Sequence, residues 1–349
     1  MSILKTNGIQ GVSASSNAAT LSTTGISLDR CTGMNGVGLA RNLLHNPDFQ
    51  IAERGATINP VADDAYCADR WYGLSEAANS IAYTRSSTSP PTGVGYFGEF
   101  KVASTDNTKV GIAQVLENDD CVSLQGQSVT LSFQAKVSSA TAVTTMKAAI
   151  VSWAGTADQV TSDLAANWNN SGTNPTLAAN WTYENTPADL NVTTSWAKYS
   201  VTATIDTSNT TNVAVFIWND SLEVDQNDWF GLTNVQLERG STASTFNRRS
   251  IVEERLLCKR FYHDLHFGDK STTRSALFYS GSTAYTRRSL IFDFPVEMRA
   301  VPTAEVVLDS GSLYANRTFY TKQGAVLETD PANTTTVRSV EKFILSADL

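Results

Sequence analysis

From Arg41 onward the chain repeatedly alternates apolar with polar residues, a period of two that sends successive side chains to opposite faces of an extended strand. Val129, Leu131, Phe133, Ala135 and Val137 alternate through 128–137, and Tyr199, Val201, Ala203 and Ile205 through 198–205. Phe230, Leu232, Val235 and Leu237 follow with one step of three residues, the spacing of a β-bulge. Residues 81–85, 96–102, 110–116, 146–153 and 213–218 read as further strands. Gly, Asn, Asp, Ser and Pro fill the gaps, and no helical period falls between the strands. The pattern predicts a mainly β fold whose body is an antiparallel β-sandwich. A parallel α/β fold would need crossover helices, and there is nothing here to build them.

Between Trp153 and Trp196 the alternation stops, and an Asn- and Thr-rich stretch holds Trp168, Trp181 and Tyr183. A loop of about forty residues in a compact domain is either functional or carries short elements of its own. One helix is expected, over 250–262. Ser250 can cap it, Glu253 and Glu254 sit at its positive end, and Lys259 and Arg260 at its negative end. Val252, Leu256 and Phe261, flanked by Leu257 and Cys258, form its apolar stripe. Residues 267–349 return to strand texture at 276–280, 289–294, 304–308, 317–320, 325–328 and 342–345. That stretch is small for a self-sufficient core and is expected to lean on the helix, the sandwich or another copy.

The leading segment has a different texture. Residues 1–40 hold one lysine, one aspartate and one arginine amid Ser, Thr, Gly, Asn and Ala. Such a segment cannot offset its own ordering entropy by burial. Its apolar residues (Ile3, Leu4, Ile9, Val12, Leu21, Ile26, Leu28) suggest an arm that lies extended on another surface. The expected organisation is therefore an attachment arm (1–40), the sandwich (41–247), a linking helix (248–266) and a small distal β-domain (267–349).

Composition narrows the function classes. Of 349 residues 41% are apolar and only 17% charged, which excludes a disordered polyelectrolyte. The longest apolar run, 213–218, is far short of the roughly twenty residues of a membrane helix, so no membrane insertion is expected. The first eight residues lack the basic and apolar regions of a secretory signal. Residues 1–247 carry 12 basic and 22 acidic side chains, whereas 248–300 carry 10 and 6. Without interleaved aromatic platforms, that modest basic segment reads as a packing or interaction surface, and nucleic-acid binding is not expected. Cys31, Cys67, Cys121 and Cys258 form no Cys-x-x-Cys pair and read as buried free thiols.

Several stretches carry a family likeness. Arg41-Asn-Leu-Leu-His-Asn-Pro-Asp-Phe49 with Asp69-Arg-Trp71 resembles the first strand of carbohydrate-binding-module-like jelly rolls. Gly126-Gln-Ser-Val-Thr-Leu-Ser-Phe-Gln-Ala-Lys136 and Asn234-Val-Gln-Leu-Glu-Arg-Gly-Ser-Thr-Ala-Ser-Thr-Phe246 are similar to their middle and last strands. Glu253 through Tyr262, together with Phe294-Pro-Val-Glu-Met-Arg-Ala-Val-Pro302, resembles bacteriophage tail-fibre and minor virion structural proteins, as does the opening Met1-Ser-Ile-Leu-Lys-Thr-Asn-Gly-Ile-Gln10. The resemblance implies a jelly-roll sandwich in a tailed-phage virion protein made in the host cytoplasm. It would be a homo-oligomer, a trimer, held to tail or capsid proteins through residues 1–40. A tail fibre or appendage touching host glycan is the first expectation, and a capsid head decoration or cement protein the alternative. Modules of this kind often hold a structural calcium between an acid of the first strand and an aspartate pair in the last. Asp48 could supply the first, but Thr233-Asn234 stand at the pair.

A β-sandwich binds sugars by laying flat aromatic faces against pyranose C–H faces, with Asn, Asp and Gln nearby for the hydroxyls. Trp153, Trp168, Trp181, Tyr183 and Trp229 are the candidates. The competing role for each is core packing, toward which Trp153 and Trp229 lean as strand-end residues; the choice is open at Trp168 and Trp181. Catalysis has less to recommend it. Neighbouring carboxylates such as Asp63-Asp64 and Asp119-Asp120 point apart on a strand or cap a turn. No nucleophile elbow, zincin or P-loop motif occurs, and His263 and His266 fall at the expected solvated end of the helix. The chain is expected to be non-enzymatic, without cofactor or catalytic metal.

Overall fold

The computed structural model describes residues 42–349 apart from 79, 104–107, 222–223, 267–275, 278–288, 309–318 and 329–338; within residues 1–41 it describes the backbone of three short strands. The chain divides into two units, 1–41 and 42–349. In the first, β1 (Gly8–Ile9), β2 (Ala19–Ser22) and β3 (Gly25–Ser27) pair in that order, antiparallel. A segment too polar for a core thus still finds backbone partners within itself. Ile3, Leu4, Val12, Leu28 and Cys31 lie outside the described residues.

Two six-stranded antiparallel sheets make the body of the second unit. The first runs β15 (Ala197–Thr204), β10 (Ser128–Val137), β17 (Trp229–Arg239), β8 (Phe97–Val102), β7 (Ile81–Ser86) and β4 (Thr57–Val61). The second runs β14 (Trp181–Tyr183), β11 (Met146–Trp153), β16 (Asn212–Asn219), β9 (Val110–Val115), β6 (Trp71–Ser75) and β5 (Ala65–Ala68). Leu131, Phe133, Phe230 and Leu237 of the first sheet share one core with Ile112, Ile150, Val215 and Ile217 of the second. The step of three in β17 is a bulge: Ser132 faces Gln236 while Gln134 faces Thr233, and Asn234 takes a φ of 52°. That extra residue keeps both Leu232 and Val235 on the core face.

The second sheet is covered on both faces, and β9, β11 and β16 are buried at every residue. Its outward row of Ala113, Ala149, Val151, Ala214 and Phe216 lies under Leu164, Ala165, Trp168 and Trp181. The long loop is therefore a third layer, and the unbroken run 213–218 marks a strand with no wet side. This layer carries β12 (Ala165–Asn167) and β13 (Thr176–Leu177), which pair, and β14, which joins the sheet beside β11. A buried ionic node pins it. Asp220 meets the ammonium groups of Lys109 and Lys147, each at 2.7 Å. Lys109 also donates to the carbonyls of Trp168 and Asn169, and Lys147 to Asn174 Oδ1. The charges are tolerated here because they face opposite charge and further acceptors.

Two expectations about local structure change. Residues 42–49 are a buried series of turns, not a strand. Leu43 N does donate to Leu237 O and Val235 N to Pro47 O, but Asn46 and Phe49 take φ of 49° and 55°. The Asn46 side chain holds that shape, donating to Ile51 O and Asp69 O and accepting from Ile51 N.

The second change concerns the helix. α1 (Asn118–Cys121) is a single turn; α2 (Ile251–Lys259) is the expected helix, with Ser250 Oγ accepting from Glu253 N. Its apolar stripe is divided: Val252 is 64% exposed and Leu256 38%, while Phe261 just beyond the helix is buried, as are Glu254 and Cys258. The docking joint is polar. Glu254 accepts from Asn46 N at 2.5 Å and from Arg249, whose guanidinium also reaches the carbonyls of Asn42 and Leu44. Beyond it, Phe261 lies under the Arg70 guanidinium at 3.4 Å, and Arg260 grips Glu117 with two bonds of 2.7 and 2.9 Å.

The helix ends early because β18 (Tyr262–His266) begins at once. His263 is consequently a buried strand residue and not a solvated helix end. Burial and the neighbouring Lys259 ammonium push its pKa down to about 4. β18, β24 (Ser339–Ser346), β19 (Ala276–Leu277) and β21 (Thr303–Leu308) form one small sheet. β20 (Ser289–Asp293), β23 (Gly324–Glu328) and β22 (Phe319–Tyr320) form another. Residues 278–280 and 317–318 of the expected strands lie outside the described residues. The shared core of Met298, Leu327, Phe343 and Leu345 is slight. It is tied to the sandwich by the Arg54–Asp348 ion pair and by Tyr72 OH donating to Leu349 O, and to the end of α2 by Arg299 N donating to Arg260 O.

Candidate functional site

The strict alternation of β10 places Ser128, Thr130, Ser132, Gln134 and Lys136 on the outer face of the first sheet. One end of that face is covered where the chain turns back after β17. Ser244 bonds Glu238 and Gln236 there, Gly240 O accepts from Thr130 Oγ1, and Lys198 Nζ bonds Ser244 O. At the other end Lys136, Trp196, Trp229, Glu99 and Lys101 remain half-exposed.

Register assembles this end. Lys136 faces Gly231, which faces Glu99, and Trp196 enters the same row just before the Ala197–Ala135 pair. Phe97, 1% exposed, is the floor. Trp196 meets it edge-on with centroids 5.1 Å apart, and Trp229 lies at 6.1 Å with the planes 32° apart. Trp196 is fixed by Nε1 donating to Ser89 O at 2.9 Å. Gly231 lies close beneath it: a Cβ there would stand 3.1 Å from both the Phe97 and Trp196 rings, a tight contact that the rings would have to yield to. The Lys136 ammonium sits 5.1, 5.2 and 5.4 Å from the ring centres of Trp196, Trp229 and Phe97. Among the described residues no carboxylate pairs with it, while Lys101 pairs with Glu99 at 3.5 Å. Gln134 and Asn234 hydrogen-bond each other alongside. Rings with polar groups beside them can stack on a sugar and bond its hydroxyls.

The five sequence candidates do not come together. Trp229 is on this platform. Trp153, Trp168 and Trp181 are each 6% exposed and pack together on the outer side of the second sheet. Trp153 and Trp181 pack at 5.2 Å, and Trp168 stands edge-on to Phe216 at 5.7 Å. Their indole N–H groups do not all point outward either: Trp153 Nε1 donates to Thr156 O and Trp181 Nε1 to Thr161 O. Tyr183 is half-buried at the margin of that layer, its hydroxyl donating to Pro175 O. Packing thus takes the faces that a sugar would need, because the polar loop is itself the lid of an apolar sheet. Trp196, Lys136 and Phe97 of this platform are not among the expected residues. A signal existed for two of them: Lys136 ends the polar rank of β10, and Phe97 shares an outward row with Glu99 and Lys101.

Other candidate groups have structural partners. Asp63 Oδ1 caps Ser75 N and Asp64 N, and Asp64 accepts from Ser162. Cys67, Cys121 and Cys258 are free and buried, and burial pushes the Cys67 thiol up to about 12. The implied calcium does not fit. Asp48 faces the Arg248 guanidinium at 3.2 Å and accepts from Gln50, Thr233 Oγ1 donates to Tyr96 O, and Asn234 brings no carboxylate.

No protein-family model and no curated protein matches the chain. Among solved structures it is similar to the enzymatically active domain of bacteriophage CBA120 tailspike protein 4, at 10% identity and a TM-score of 0.34, covering 57% of this chain and 21% of that one. It is also similar to the CBM22-1 xylan-binding domain of Paenibacillus barcinonensis Xyn10C, at 12% identity and a TM-score of 0.33, covering 59% and 98%. The CBM22-1-CBM22-2 tandem of the same protein gives 10% identity and a TM-score of 0.34, over 89% and 91%.

Proposed function

We propose that this chain is a non-enzymatic structural protein of a tailed-phage particle, a tail fibre or appendage. In this reading it docks to other virion proteins through residues 1–40 and touches host-surface glycan with the open end of its first sheet. The observation that carries the glycan contact is the platform of Trp196, Trp229 and Phe97 around an ammonium without a carboxylate partner. The phage setting is supported by the resemblance of residues 253–262 and 294–302 to tail-fibre proteins, and docking by the polar, nearly uncharged texture of residues 1–40 and their own resemblance to the starts of virion proteins.

A homotrimer accords with apolar side chains left facing outward. Val252 and Leu256 lie on α2, and Ile291 (72% exposed) and Phe319 (57%) both register with Val326 across one small sheet. Repetition on a particle turns a weak site into firm attachment, since every contact after the first is effectively intramolecular. The test is adsorption. Particles carrying Trp196→Ala with Trp229→Ala are expected to assemble with a normal content of this protein and to adsorb to host cells at least about tenfold more slowly. Unchanged adsorption would overturn the glycan-contact reading.

A further inference from the structure

Resting on the glycan-contact reading, we infer that this platform takes an acidic glycan, one whose sugars carry carboxylates of the uronic or sialic acid class. The Lys136 ammonium is held at 5.1–5.4 Å from three ring centres. Rings attract a cation through their faces but accept no conventional hydrogen bond, so the ammonium is positioned while its donors remain available.

The neighbouring charges do not neutralise it. Glu99 is matched by Lys101 at 3.5 Å. Asp228 turns its two oxygens to Ser138 Oγ (3.0 Å) and Asp225 N (3.1 Å). An ammonium with no paired acid therefore stands between two half-exposed tryptophans. It does so in a stretch, 1–247, that carries 12 basic and 22 acidic side chains, so it is not a by-product of general basicity.

A pyranose stacked on Trp196 or Trp229 brings its ring substituents toward that ammonium. A hydroxyl would offer an ordinary acceptor. A carboxylate offers a charge-assisted bond, roughly twice as strong, in a place already stripped of part of its water. The acidity of the rest of the chain works against an acidic polymer only at long range, and physiological salt screens it beyond about 8 Å.

The experiment compares the full-length chain with Lys136→Met, which keeps an apolar stem on the rings, and with Trp196→Ala. The probes are polygalacturonate and its fully methyl-esterified form, and polysialic acid and its carboxyl-reduced form, by affinity electrophoresis and titration calorimetry. At least one acidic polymer is expected to bind about tenfold more tightly than its neutral counterpart. Lys136→Met should reduce that ratio to within about twofold, 0.5 M salt should do the same to the wild type, and Trp196→Ala should weaken both forms. Equal binding of acidic and neutral forms, unaltered by Lys136→Met but lost in Trp196→Ala, overturns the acidic preference and leaves the glycan-contact reading standing. Retention of none of the four polymers overturns both.

Discussion

Seven tryptophans serve three purposes in this chain, and the difference lies in what each ring rests on. Trp71 and Trp218 are fully buried, Trp153, Trp168 and Trp181 seal the outer side of the second sheet, and Trp196 and Trp229 flank Phe97 on the first. Sequence reading could pick out aromatic residues in polar company, but polar company is also what a covering layer needs on its wet side. That is why Trp168, set among Asn residues, reads equally as lid or ligand until its position over Phe216 is known. Trp168→Ala should lower stability by about 3–5 kcal/mol through the cavity it opens, whereas Trp196→Ala should cost about 1–2 kcal/mol. Urea unfolding of the two variants checks this, and equal losses would place Trp196 in a core.

At the scale of elements, strict alternation carried through to the structure wherever one face of a strand is wet. β10 occupies the residues its pattern marks, and β15 is shifted by one. The six-residue apolar run of β16 already signalled a strand covered on both sides, although not what covers it. β4, β5 and β6 escaped notice because they are short, and β6 is buried throughout. The helix taught the opposite lesson. Its end charges and Ser250 cap predicted where it begins, but its apolar stripe predicted only the Cys258 and Phe261 end of its docking face, because Glu254 is committed to Arg249 and Asn46 N. Glu254→Ala, leaving the Arg249 guanidinium and a backbone donor unanswered, should destabilise the chain by about 3–5 kcal/mol. Val252→Ser should change the isolated chain by no more than about 0.5 kcal/mol. Thermal melts of both variants decide; a larger effect from Val252→Ser would mean that the exposed stripe is packed in the sample measured.

For the whole molecule, two sheets with one covered and one partly open leave half-exposed rings on the outer face of the first, and the C-terminal sheets, with a slight core of their own, are fastened to the sandwich by the Arg54–Asp348 ion pair and the Tyr72–Leu349 bond. Glycan contact through the first sheet is the claim on which the biological reading turns. The most direct measurement follows the tryptophan indole N–H signals by two-dimensional NMR while a bound acidic oligosaccharide is titrated in. Trp196 and Trp229 are expected to shift with saturation while Trp153, Trp168 and Trp181 hold their positions. Shifts confined to those last three, with Trp196 and Trp229 unmoved, would contradict it.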